Sequence, residues 1–336
     1  GVGSNRSTAN NRTMRREENE TETPSPEKIL SAGVGSNRSK ANQVNSTLAQ
    51  NSTRMPRFLW GIMTMMDSPK ETERQQALRE TYLNYFKTIR SNLTRQFICS
   101  VDELIHKKVN PNECYMIYAF VVGANATGPT HLMAINDTES MTVDRSTISD
   151  PVDDMIYLNI RENMNDGKSE SWFKYATRLL HQGIEFDYIV KIDSDTLVFP
   201  DRFFNWVKDQ SLPSSPQNIS VYGGYPYRGK MCGSCNEQLV GSSFMGGELY
   251  FMSTNLARFI TSPSLDRGSV WIDGHEDISI GNYVYSYTGE IRVAKIGKPR
   301  THAIASHPMK SVGRLRSNFA KRRGWSLPRF AENGLS

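Results

Sequence analysis

Two aspartates two residues apart, Asp193 and Asp195, follow the apolar run FDYIVKI that starts at Phe186. In extended chain the side chains at i and i+2 project to the same side, so these two carboxylates share one space. That closeness is unfavourable until a positive charge arrives, and a hard divalent cation with its preference for oxygen is the usual partner. Lys191 stands just before the pair and Ser194 between its members. Surface turns also contain Asp-x-Asp, and what distinguishes this one is its place directly after a buried strand.

The surrounding pattern says what must hold the pair. FLWGIMTMM from Phe58, YMIYAFVVG from Tyr115, MIYLNI from Met155 and FDYIVKI read as buried strands. Between them, Ser68 to Arg90 carries apolar residues at helical spacing, and SWFKYATRLLHQG from Ser171 reads as a helix that stops at Gly183. Apolar strands alternating with helices predict an α/β fold with a mainly parallel central sheet flanked by helices. Ligands of such sheets sit at the carboxyl ends of the strands, where Asp193 and Asp195 lie.

Four segments, taken in order, resemble the β1,3-galactosyltransferase/fringe family. ERQQALRETY, with Arg74 and Arg79, is similar to its Glu-Arg-basic-Ala-Ile-Arg-x-Thr-Trp signature, with departures at Gln75, Leu78 and Tyr82. KIDSDTLVFPDRF from Lys191 resembles its metal-binding motif, with Ser194 at the middle acidic position. FMGGELYFMS, with Gly246 and Gly247, resembles its donor-pocket segment, although paired glycines also mark ordinary turns. HEDISIG, with Glu276 and Asp277, resembles its Glu-Asp-Val-x-Val-Gly motif, although an acid here could equally cap a helix.

The resemblance implies a GT-A type nucleotide-diphospho-sugar transferase over residues 55–330. It implies an inverting hexosyltransferase that moves galactose or N-acetylglucosamine from a UDP-sugar donor to a glycan acceptor hydroxyl, forming a β1,3 linkage. By the same resemblance Asp277 is the catalytic base, and Asp195 and His307 hold manganese or another divalent metal, with His302 as the alternative histidine. Arg74, Arg79, Lys191, Asp193, Ser194, Gly246, Gly247 and Glu276 are then expected to contact substrate. A catalytically silent glycan-binding protein of the same fold is the rival reading. A glycoside hydrolase would also use two carboxylates, but without a metal.

Residues 1–54 are rich in Asn, Ser, Thr, Arg and Glu, repeat GVGSNRS at Gly1 and Gly33, and cannot build a core. They read as a disordered stem. Ten Asn-x-Ser/Thr acceptors, among them Asn5, Asn45, Asn92, Asn125, Asn136 and Asn218, point to a secretory lumen, though polar tails also generate such triplets by chance. Cys99, Cys114, Cys232 and Cys235 suit either two disulfides or buried thiols, and a zinc or redox role for CGSC at Cys232 is disfavoured. No apolar run reaches the roughly 18 to 20 residues of a membrane span, so a Golgi-luminal type II protein would need an anchor outside this chain. Eleven Lys and Arg residues lie between Glu290 and Glu332 with no acid among them, but no nucleic-acid reader motif accompanies them, so nucleic acid is not an expected partner. Trp172, Tyr225 and Trp271 could contact sugar or serve the core.

Overall fold

The computed structural model describes residues 54–84, 97–134, 140–163, 166–214, 216, 219–228, 243–267, 275–297 and 303–322, all within the unit Asn51–Ser336. The acceptor asparagines other than Asn125, together with Cys232, Cys235, Trp271 and His302, lie outside the described residues.

A mixed sheet forms the centre. Its strands are β1 (Phe58–Met63), β2 (Ile98–Ser100), β3 (Met116–Gly123), β4 (Met155–Leu158), β5 (Tyr188–Asp193), β7 (Ser220–Arg228), β8 (Ser243–Ser253) and β9 (Ile291–Lys295). The spatial order is β2-β3-β1-β5-β8-β7-β9, and β4 pairs with β3 beyond the stretch that β2 occupies. Pairings among β1 to β5 are parallel, as the apolar runs predict, while β8 is antiparallel to both of its neighbours. The segment containing Gly246 and Gly247 is therefore strand and not turn. Two short strands stand apart as an antiparallel ladder, β6 (Leu197–Val198) with β10 (Ala305–Ser306).

Alternation along β1 sends its residues to opposite faces. Phe58, Trp60 and Ile62 join a core with Ala77 and Leu78 of helix α1 (Pro69–Leu78), Phe203 and Phe204 of α4 (Pro200–Asp209) and Leu315 of α7 (Val312–Arg322). Its densest part is aromatic, with Phe58 4.8 Å from Tyr188 and Trp60 4.9 Å from Phe203 between ring centroids. Leu59 and Met63 face the other core, built with α2 (Val101–Ile105), α3 (Lys168–His181), α5 (Thr254–Ile260) and α6 (Glu276–Tyr285). Trp172 is part of that core, fully buried, and its indole donates to the Val190 carbonyl at 3.0 Å. It is a structural residue and not a sugar platform. Tyr225 is likewise buried, and its hydroxyl accepts the Ala305 amide at 3.1 Å.

Several local features differ from the expectation from pattern. Helix α3 begins three residues before Ser171, because the polar Lys168, Ser169 and Glu170 are all buried and all partnered. It ends as expected, with Gly183 at φ +85 just beyond it. Strand β2 has only three residues, too few to show a period, and a disulfide joins its Cys99 to Cys114 just before β3. That bond decides between the disulfide and thiol readings for this pair.

The close fit of α3 on β1 is testable. A Cβ at Gly61 would come within 2.3 Å of the Trp172 ring. Gly61→Ala is expected to destabilise the fold by about 1–3 kcal/mol, as overpacked cores do, seen as a lower urea midpoint at unchanged slope.

Candidate active site

The carboxyl end of β5 delivers Asp193 and Asp195, and the β6–β10 ladder brings a distant segment to them. β6 starts two residues after Asp195, and His307 directly follows β10. The register Ala305↔Val198 and Ser306↔Leu197, with the Met309 amide donating to the Asp195 carbonyl at 2.7 Å, fixes where the imidazole arrives. His307 Nε2 lies 3.1 Å from Asp195 Oδ1 and Lys310 Nζ lies 2.5 Å from Oδ2. Asp193, Asp195 and His307 each offer a ligand atom within 4.8 Å of the others. Two carboxylates and one imidazole at that spacing fit a divalent metal that accepts both oxygen and nitrogen, manganese among them. Of the two candidate histidines, His307 takes part in this cluster, and His302 lies outside the described residues.

Lys191 ties this cluster to the helix carrying the predicted base. Its Nζ is 2.8 Å from Asp193 Oδ1, 3.5 Å from Asp277 Oδ1 and 3.0 Å from the Gly247 carbonyl, and it lies over the Tyr250 ring at 5.6 Å. Burial works against its charge, but Asp193, Asp277 and Glu276 outweigh burial and hold the ammonium protonated well above its usual range. Asp277 shows the complementary balance. Burial pushes its carboxyl up, and Lys191 pulls it part of the way back. Asp277 lies inside the first turn of α6, whose N-cap residue is His275. The Asp277 side chain remains 29% exposed, so a reactant can reach it.

Gly247 explains itself here: a Cβ would stand 2.5 Å from Lys191 Nζ, 2.6 Å from Asp277 Oδ2 and 3.2 Å from Asp193 Oδ2. Any side chain would push the three charges apart. At Gly246 a Cβ would collide with Glu248 and Tyr227, which hydrogen-bond each other at 2.8 Å.

Ser194 points away from the cluster. Its hydroxyl donates to Glu71 Oε2 at 2.5 Å, and Glu71 is ion-paired with buried Arg74. An acid at position 194 would set a carboxylate against a carboxylate, so serine suits this surrounding. Arg74 thus meets the site through Glu71 and Ser194. Arg79 is engaged elsewhere, paired through Nε and Nη2 with Asp154 at 2.8 and 2.7 Å and lying over Phe120. Among the groups gathered here, sequence reading missed Lys310 and Glu71, since neither belongs to a local pattern that marks it out from surface charge.

Burial raises the Asp195 pKa, but hydrogen bonds and charge from His307 and Lys310 prevail and hold it well below the carboxylate range. For His307 the same bond overcomes burial and shifts the imidazole upward.

Glu276 does not point into the site. It is buried, and it accepts the Ser169 amide at 2.6 Å and the Ser169 hydroxyl at 2.7 Å. Gly167, the N-cap of α3, has no side chain to cap the helix, so Glu276 supplies the cap from 107 residues away and joins the first turns of α3 and α6. Burial raises its pKa to about 7, against the opposing pull of Lys191 and Ser169. A carboxyl whose pKa rises on folding contributes stability below its unfolded pKa, and that contribution is lost as pH climbs through the folded one. Glu276→Gln keeps the two contacts without the charge. Relative to the variant, the wild type is therefore expected to lose stability on the order of a few kcal/mol between about pH 4.5 and 7 in urea titrations. Parallel profiles for the two proteins would contradict this role.

Residues 73–289, well over half the chain, match the family described as galactosyltransferase, a span that includes the later part of α1, the aspartate pair, both glycines and Asp277. No curated protein matches the chain. Among solved structures it is similar to a glycosyltransferase involved in the glycosylation of the major capsid of PBCV-1, at 13% identity and a TM-score of 0.36, covering 79% of this chain and 100% of that one. The family match, together with the mixed α/β sheet and the residues gathered at its carboxyl edge, leads to one assignment: this chain belongs to the galactosyltransferase family of glycosyltransferases.

Proposed function

We propose that the chain is a metal-dependent inverting hexosyltransferase of GT-A type, which moves galactose or N-acetylglucosamine from a UDP-sugar to a hydroxyl of a glycan acceptor in a β1,3 linkage. The observation that carries this reading is the joining of two clusters by one side chain. Asp193, Asp195 and His307 can hold a divalent cation, and Lys191 binds Asp193 with one side of its ammonium and faces Asp277 with another. A bound metal would neutralise the donor's diphosphate as the nucleotide departs.

The chain's own groups do the rest. Burial pushes the Asp277 carboxyl up, Lys191 pulls it part of the way back, and its basicity exceeds that of a surface aspartate. A carboxylate so placed accepts the proton of an acceptor hydroxyl as that oxygen attacks the anomeric carbon from the face opposite the leaving nucleotide. The configuration inverts. Gly247 leaves the room in which Asp277 and Lys191 approach each other. Lys310, with a side chain 67% exposed and its ammonium on Asp195, adds positive charge on the side from which a diphosphate would come.

The sequence supports the remaining assignments. Residues 1–54 serve as a glycosylated stem ahead of a catalytic domain over 55–330. We place the protein in the Golgi lumen, attached as a type II membrane protein. Among the described residues no helix is long and apolar enough to cross a membrane.

Incubating the protein with a panel of UDP-sugars, with and without manganese, tests the reading. Sugar transfer or slow UDP release should need manganese and favour one hexose. In calorimetry, UDP affinity should require the metal and fall at least about tenfold in Asp195→Ala, a loss of at least about 1.4 kcal/mol. UDP binding that is unchanged by chelation would overturn the metal assignment.

A further inference from the structure

The aspartate turn is tied on the side away from the metal cluster as well. Backbone bonds fix three points of it: the Ser194 amide donates to the Met63 carbonyl at 3.0 Å, the Thr196 amide to the Asp193 carbonyl at 3.0 Å and the Met309 amide to the Asp195 carbonyl at 2.7 Å. The side chain between the two aspartates, Ser194, is buried, and its hydroxyl reaches Glu71, 123 residues earlier in the chain. Glu71 in turn belongs to a buried polar group at the start of α1. Its Oε1 takes the Arg74 guanidinium, and its Oε2 takes the Ser194 hydroxyl at 2.5 Å and the Thr64 hydroxyl at 3.3 Å. Thr64 accepts the Gln75 amide at 3.0 Å through its hydroxyl and the Lys168 ammonium through its carbonyl. Thr64, Glu71, Arg74 and Gln75 are all buried.

Local structure explains only part of this arrangement. An acid in the first turn complements the positive end of a helix, and Ser68, the N-cap of α1, accepts the Glu71 amide at 3.4 Å. That role is served as well by an exposed carboxylate, whereas Glu71 is buried. Joining α1 to the sheet needs no charge either, since apolar side chains of similar volume are often as stabilising as a buried ion pair. What a carboxylate bonded by a hydroxyl supplies is direction, because such a bond is short and charge-assisted, and 2.5 Å is that length. With one oxygen held by Arg74, Glu71 presents the other to Ser194.

We propose that Glu71 is a positioning residue for the metal cluster: held by Arg74, it fixes the Ser194 hydroxyl and, through it, the turn from which Asp193 and Asp195 reach a divalent cation. This role rests on the metal-dependent reading above. Metal ligands must stand within about 0.2 Å of their coordination distances, so a turn that drifts by more than that loses metal affinity while the fold persists. Arg74 and Ser194, expected at the substrate, then act on the metal from behind its ligands. The signal is invisible locally, since Glu71 stands among the charged residues of PKETER and acquires its partner only when α1 packs beside the end of β5.

Mn2+ binding to the protein with saturating UDP, read from the paramagnetic resonance signal of the free ion, tests this without any transfer assay. Ser194→Ala removes the hydroxyl and should weaken Mn2+ binding at least about tenfold, the lower end of the range for groups that orient metal ligands. Glu71→Gln leaves one oxygen for two partners, Arg74 and Ser194, and should weaken Mn2+ binding to a similar degree. Because the two residues act through one bond, the double variant should lose no more affinity than the more damaged single variant. A tie that only joins α1 to the sheet would lower the melting temperature of the metal-free protein and leave Mn2+ affinity alone. The proposal is overturned if Mn2+ affinity in Ser194→Ala stays within about twofold of wild type, or if the two losses multiply in the double variant. A wild type that binds no Mn2+ with UDP would instead overturn the metal assignment, and this role with it.

Discussion

The site depends on one buried cation. Lys191 gives its ammonium to Asp193, to Asp277 and to the Gly247 carbonyl at once. Without it, carboxylates contributed by β5 and α6 would sit near one another in a poorly solvated space, and they would repel or protonate. Lys191 offsets the repulsion between them and sets the separation of Asp193 from Asp277. An ammonium with three donors can hold three acceptors around a point, which a planar guanidinium cannot do in the same volume.

The architecture around Lys191 follows from that requirement. β5 is central in the sheet, with β1 parallel on one side and β8 antiparallel on the other, so Lys191 and Tyr250 stand directly across from each other. The antiparallel strand brings Gly246 and Gly247 past the lysine, and the absence of side chains there keeps the space open. Glu276 then anchors the first turn of α6 to the first turn of α3, which fixes where Asp277 begins. The β6–β10 ladder performs the same service for His307 and Lys310. Three separate segments are thus held at one point by contacts that lie outside it.

Much of this was legible in the sequence, and the reason is local. The parallel strands are runs of apolar residues, α3 has a clear period and a glycine stop, and the aspartate pair directly ends a strand. What stayed hidden depends on long-range pairing. β2, β6 and β10 have two or three residues each and carry no period. Glu71, Ser169 and Lys310 look like ordinary surface residues until the fold brings Ser194, Glu276 and Asp195 to them. Glu276, expected at the substrate, serves as a helix cap in trans. Arg79, expected near the nucleotide, has its fork filled by Asp154, a partner 75 residues away. Ser194 departs from the family's acidic position, and only the neighbouring Glu71 shows why.

Asp277→Asn with transfer and nucleotide binding measured on the same preparation tests the central claim most directly. Asparagine preserves the shape of the side chain and removes its basicity. If Asp277 is the base, manganese-dependent UDP affinity persists while transfer falls by roughly two orders of magnitude or more. Transfer at near wild-type rate would contradict the account and shift the base to another group at the site.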